Sequence, residues 1–110
     1  MALRVLLIQS EIKTVQVLSV FFANRGDTVW QATDALKARE LRVSVIPDLV
    51  LLDLHLPGSN WLNSLVLIRK KYPSTRIIVT NQRPDVKREQ QAREYGGSIF
   101  FKAAIYPSMD

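Results

Sequence analysis

Apolar residues along this chain come in short solid blocks, and between the blocks they recur at helical spacing. "RVLLI", Arg4 to Ile8, is a β-type run ended by polar Gln9 and Ser10. Ser10 stands where it could cap a helix from Glu11 to about Asn24, whose Ile12, Val15, Leu18, Phe21 and Phe22 fall on one face. Gly26 is a natural stop for that helix. "DTVWQA" predicts a second strand ending near Thr33. "DALKARELRVSV" predicts a second helix with Asp34 near its start and Pro47 closing the connection. "PDLVLLDLHLPG" then places four consecutive apolar residues, Leu49 to Leu52, ahead of a single carboxylate, Asp53. A third helix starts at Asn60, with Leu62, Leu65, Val66 and Ile68 recurring, and Pro73 ends it. "RIIVT" is the fourth strand. Asp85 to Tyr95, led by Pro84 and stopped by Gly96-Gly97, is the fourth helix, and "SIFF" is the fifth strand.

Strand and helix therefore alternate five times, with the last helix missing. Such alternation implies an α/β domain, a parallel sheet with helices on both faces and right-handed crossovers. The unbroken apolar stretch before Asp53 fits a strand covered on both sides. No repeat, linker or low-complexity segment interrupts it, so residues 1–110 read as one domain. Only nine residues follow the fifth strand. Pro107, Ser108 and Asp110 could begin a covering helix that is truncated here, or a homodimer contact could take its place.

Composition narrows the function. Hydrophobic residues at 47% and charged residues at 23% suit a globular chain with a real core. With no cysteine there is no disulfide or thiolate metal site, and one histidine, His55, makes no poly-histidine site. No apolar run approaches the roughly 18 residues of a membrane span, and "MALRVLLIQSE" lacks the form of a signal peptide; the expected location is the cytoplasm. The net charge of +5 permits an acidic partner or nucleic acid, although a solvated basic surface is the plainer explanation.

The chemistry gathers at the strand ends. In open parallel sheets ligands bind outside the carboxyl ends of the strands. Gln9 and Ser10 follow the first strand, Asp53 ends the third, Thr80 and Asn81 the fourth, and Lys102 the fifth. A carboxylate there can attack a phosphoryl group to give an acyl phosphate. The charge that develops needs a hydroxyl, a cation, backbone N–H groups and usually Mg²⁺. The plainer reading makes Asp53 a turn cap that forms an ordinary ion pair with Lys102.

These residues resemble the receiver domain of two-component response regulators over nearly the whole chain. "PDLVLLDLHLPG" looks like the family's phosphoacceptor segment, with Asp53 at the phosphorylated aspartate. "LVLIRKKYPSTRIIVT" is similar to its third helix and fourth strand, and "YGGSIFFK" to the segment carrying its lysine, here Lys102. The resemblance implies a flavodoxin-like fold, a five-stranded parallel sheet in the order 2-1-3-4-5. It also implies phosphoryl transfer from a histidine kinase or phosphotransfer protein. The readout to an output domain or partner protein is then a changed surface at the fourth helix and fifth strand.

The departures from the family are chemical. Its two adjacent acids, which hold Mg²⁺, are replaced by Gln9 and Ser10; Glu11 comes one place too late. Asp53 and the backbone carbonyl of His55 remain, so Mg²⁺ should bind weakly. Counting forward from Asp53 puts Asn81 at the hydroxyl position, whereas counting back from Lys102 puts Thr80 there. Ala103 stands where the family has proline, so a trans bond is expected. Ile99, not Phe100 or Phe101, falls on the family's switch aromatic.

Three functions follow. The first is a phosphoacceptor receiver that is not itself an enzyme. The second is a phosphorylation-independent pseudo-receiver. The third is a basic α/β domain that binds nucleic acid through clusters such as "RKKYPSTR" and "RPDVKREQQAR". His55 reads as a loop side chain at the site mouth, and Trp30 and Trp61 read as packing.

Overall fold

The structure is a computed structural model that describes residues 2–33, 37, 46–56, 60–81, 85–95 and 98–101. The expected second helix apart from Lys37, the Pro57-Gly58 turn, the Gly96-Gly97 stop, Lys102 and Ala103 lie outside the described residues. Five strands form one parallel sheet in the order β2-β1-β3-β4-β5: β1 Arg4–Ile8, β2 Thr28–Ala32, β3 Leu49–Asp53, β4 Arg76–Asn81 and β5 Ser98–Phe101. Three described helices connect them, α1 (Ile12–Asn24), α2 (Asn60–Lys71) and α3 (Val86–Glu94), the last two corresponding to the third and fourth helices expected from the sequence.

The solid apolar runs are explained by two cores, one on each side of the sheet. On one face Leu6, Ile8, Val50, Leu52, Ile77 and Val79 pack with Trp61, Leu65 and Ile68 of α2 and Ala92 of α3. On the other, Val5, Leu7 and Leu51 pack with Leu18 and Phe22 of α1. Successive strand residues point to opposite faces, so a strand buried on both must be apolar at every position. Each fully buried Leu or Val contributes roughly 1.5–3 kcal/mol.

Two carboxylates tie the amino ends of the strands. Asp48 accepts from the Arg4 amide at 2.9 Å and from the Arg4 guanidinium at 3.1 Å, while its own amide donates to the Arg4 carbonyl. Asp27 accepts from the Leu3 amide at 2.7 Å and from Arg25 at 2.9 Å. With that end fixed, the register carries through to the opposite rim.

Local signals mark most helix ends. Gly26 follows α1 with φ at 86°, in the left-handed region that favours glycine, and its amide donates to the Ala23 carbonyl. Asp85 caps α3, its side chain accepting from the Arg88 amide at 3.1 Å. The expected cap at Ser10 is a correction. Glu11 is the cap residue of α1, it makes no side-chain cap bond, and the Ser10 hydroxyl turns elsewhere.

Candidate site at the carboxyl ends of the strands

Parallel register brings the polar strand ends together. Asp53 lies opposite Thr80 in the β3–β4 pairing, and the Ile8–Leu52 pairing sets Gln9 one step further along β1, level with Asp53. Asp53 is 1% exposed, Gln9 1% and Thr80 0%. Buried polar groups of this kind must be hydrogen-bonded or they destabilise the fold.

Asp53 accepts two described hydrogen bonds. Ser10 Oγ donates to Oδ2 at 3.1 Å, and the backbone N–H of His55 donates to Oδ1 at 2.9 Å. The His55 backbone bond closes a turn immediately after β3. Glu11, which could have reached the site, instead accepts from Thr14 Oγ1 at 2.6 Å in the first turn of α1.

Gln9 makes a second set of bonds. Its Nε2 donates to the Leu51 carbonyl at 3.0 Å and to Thr80 Oγ1 at 3.1 Å. Thr80 Oγ1 in turn reaches Gln9 Oε1 at 3.3 Å and the Leu52 carbonyl at 3.4 Å. One carboxamide thus spans from β1 past β3 to β4, while the Leu54 amide donates to the Thr80 carbonyl at 3.0 Å. Sequence reasoning took Gln9 only as a lost acid. The signal it passed over was a neutral amide at the end of a fully apolar strand, which must find partners once buried.

Arg88 was missed as well. From α3 its Nη1 donates to the Leu54 carbonyl at 3.2 Å, and its Nε lies 3.4 Å from Asp85. A helix on the sheet's flank is therefore tied to the residue beside Asp53. Trp61 is 4% exposed and packs in the core rather than over Asp53. Asn81 ends β4, one residue past Thr80. A groove of about 810 Å³ between α1 and the β2 edge is lined at one end by Gln9 and Ser10, with Ile12, Val20 and Gln31 beyond them.

This sheet order, with its polar residues gathered at one rim, defines a doubly wound α/β domain with its site at the strand ends. The chain belongs to the response regulator receiver domain family, whose match runs over residues 5–103. It is 43% identical over 61 residues to the nitrate/nitrite response regulator protein NarL of Escherichia coli (strain K12), covering 53% of this chain and 28% of that protein. It is 24% identical over 98 residues to the sporulation initiation phosphotransferase F of Bacillus subtilis (strain 168), covering 89% of this chain and 79% of that protein. Among solved structures, NtrX from Brucella abortus superposes with a TM-score of 0.83 at 24% identity, covering 93% of this chain and 23% of that one. The match spans less than a third of the length of NarL. It is a signalling domain of the two-component class, and among the described residues no helix is long and apolar enough to cross a membrane.

Proposed function

We propose that Asp53 is the phosphoacceptor of this receiver domain, that it works with only weakly held Mg²⁺, and that its output is a change in protein contacts. The observation that carries this is the register pairing of Asp53 with Thr80, which sets a carboxylate and a hydroxyl side by side at the strand ends. In the reaction, a carboxylate oxygen attacks the phosphorus of a histidine kinase or phosphotransfer protein. The donor's bond to phosphorus breaks, its electron pair leaves with the donor, and an acyl phosphate forms. The His55 amide is an N–H donor already aimed at the carboxylate. Lys102 would supply the cation and Thr80 the hydroxyl, with Asn81 as the neighbour that could replace it.

The donor set argues against a tightly held metal. Mg²⁺ is ordinarily bound through one or two carboxylates together with waters and the substrate phosphate. Here Asp53 is the lone carboxylate in the described bonding of the site, and Ser10 and Gln9 add neutral groups already engaged in hydrogen bonds. Mg²⁺, when bound, would offset charge on the phosphoryl oxygens, and Asp53 with the His55 carbonyl would hold it.

A second reading, the pseudo-receiver, is favoured by the burial of Asp53, 1% exposed with Ser10 and His55 on its two oxygens. Incubation with millimolar Mg²⁺ and beryllofluoride or a small phosphoryl donor, followed by mass spectrometry, separates the two. An adduct that disappears in Asp53→Asn supports the phosphoacceptor. No adduct at saturating Mg²⁺ supports the pseudo-receiver. The exposed cations of α3, Lys87 and Arg93, suit an acidic partner; a salt-dependent shift with duplex DNA would instead assign the basic surface to nucleic acid.

A further inference from the structure

We propose that Gln9 is a positioning residue for the switch hydroxyl: its carboxamide holds Thr80 Oγ1 in one fixed orientation, which must be given up before Thr80 can turn toward a group on Asp53. This rests on the reading of Asp53 as the acceptor only in its second half; the clamp itself is a property of the unmodified chain.

The bonding is complete at both ends. Gln9 Nε2 has two hydrogens, one on the Leu51 carbonyl and one on Thr80 Oγ1. The Thr80 hydroxyl hydrogen is left with two acceptors, Gln9 Oε1 and the Leu52 carbonyl. All of these atoms belong to buried residues or to the β3 backbone, and no buried side-chain polar atom among the described residues lacks a partner. Water cannot replace a bond broken in such a place, so the orientation persists. An aspartate at position 9 is too short to span from β1 past β3 and offers no N–H to the Leu51 carbonyl or to Thr80. The same substitution that weakens the metal site therefore adds a restraint on the switch. Ser10 completes the arrangement by giving its hydroxyl to Asp53.

The test is nuclear magnetic resonance on the whole chain, comparing wild type with Gln9→Met, which keeps length and removes the bonds. In unliganded wild type, Thr80 should occupy a single χ1 rotamer, with its hydroxyl proton slow to exchange. In Gln9→Met the rotamer should average and hydroxyl exchange should speed up roughly tenfold or more, the loss expected for a buried hydrogen bond. Should Gln9→Met fail to fold, Thr80→Val probes the other end, and the Gln9 side-chain amide proton that faces Thr80 should then lose protection. Unchanged Thr80 rotamer and hydroxyl protection in Gln9→Met, or unchanged Gln9 amide protection in Thr80→Val, overturns the clamp.

Adding Mg²⁺ and beryllofluoride tests its consequence. Where fluorine resonances report an adduct, the Thr80 methyl and the α3 amides should shift further in Gln9→Met than in wild type. Equal shifts in both overturn the clamp's effect on switching. No adduct in either protein overturns the acceptor reading of Asp53 and leaves the rotamer measurement to decide the clamp.

Discussion

Asp53 and Thr80 face each other across the β3–β4 pair, and the backbone seals the relationship, the Leu54 amide donating to the Thr80 carbonyl at 3.0 Å. Thr80 is bonded to Gln9, and Asp53 to Ser10. Gln9 and Ser10, the two residues after β1, are thus each wired to one partner of that pair. Thr80→Val should cost about 1–3 kcal/mol because it leaves the Gln9 amide short of an acceptor in a dry place. The double variant Gln9→Met with Thr80→Val should cost clearly less than the two single changes together, since the amide and the hydroxyl then leave together and neither is orphaned by loss of the other. Urea unfolding of the four proteins measures this. Strict additivity would mean that the two side chains are not coupled.

Restoring one acid should restore metal dependence. In Ser10→Asp a second carboxylate replaces the hydroxyl that now donates to Asp53, and like charges destabilise each other when no cation is present. The variant should therefore be less stable than wild type in chelator. It should also gain more from Mg²⁺, with a rise in Tm of about 4–8 °C for each kcal/mol of binding. Thermal unfolding with and without Mg²⁺ measures it; wild type and variant responding alike would contradict the account of the weak site.

Acid sensitivity should arise at the far end of the sheet from the site. The Leu3 backbone N–H, with Arg25 beside it, holds Asp27 below the usual carboxylate range. The Arg4 guanidinium and amide do the same for Asp48. A depressed native pKa adds stability that is fully present above the unfolded value of about 3.9 and is lost as the pH falls through the native one. Asp27→Asn should therefore be less stable at neutral pH, and the gap should close as the pH is lowered through that range. Urea midpoints across the acid limb give the answer; a gap that stays constant or widens in acid reverses the assignment.

The sequence was most legible where one residue's physics decides the outcome. "RVLLI" is β1 residue for residue, because an unbroken apolar run leaves no amphipathic helix to form. Gly26 marked the end of α1 because only its backbone accepts that φ cheaply. Asp53 was recognisable because a charge after four apolar residues needs a special place. What escaped notice depends on distance in sequence. Gln9 meets Thr80 across 71 positions and Arg88 meets Leu54 across 34, and no local pattern encodes such pairs. Ser10 was expected as a cap because its position satisfies the local rule. The tertiary bond to Asp53 took the hydroxyl instead.

α3 should be the element most easily loosened, and Arg88 should be what restrains it. Glu89 and Ala92 are its buried residues, and Val86 is 76% exposed. A helix with so little buried surface sits at the low end of local stability. The Arg88 side chain crosses to the Leu54 carbonyl, beside Asp53, so the helix expected to signal is linked to the end of β3 through one guanidinium. Arg88→Ala should speed amide exchange in Val86–Glu94 roughly tenfold, the upper range for losing a single charge-assisted bond that is partly solvated. The amides of β1 and β3 should keep their protection. Arg88→Lys should behave like Arg88→Ala at Leu54, because a compact ammonium lacks the fork that reaches the carbonyl and Asp85 together. Hydrogen exchange resolved by residue is the measurement. Exchange that rises evenly across the sheet would make Arg88 a contributor to overall stability and not the tether between α3 and the end of β3.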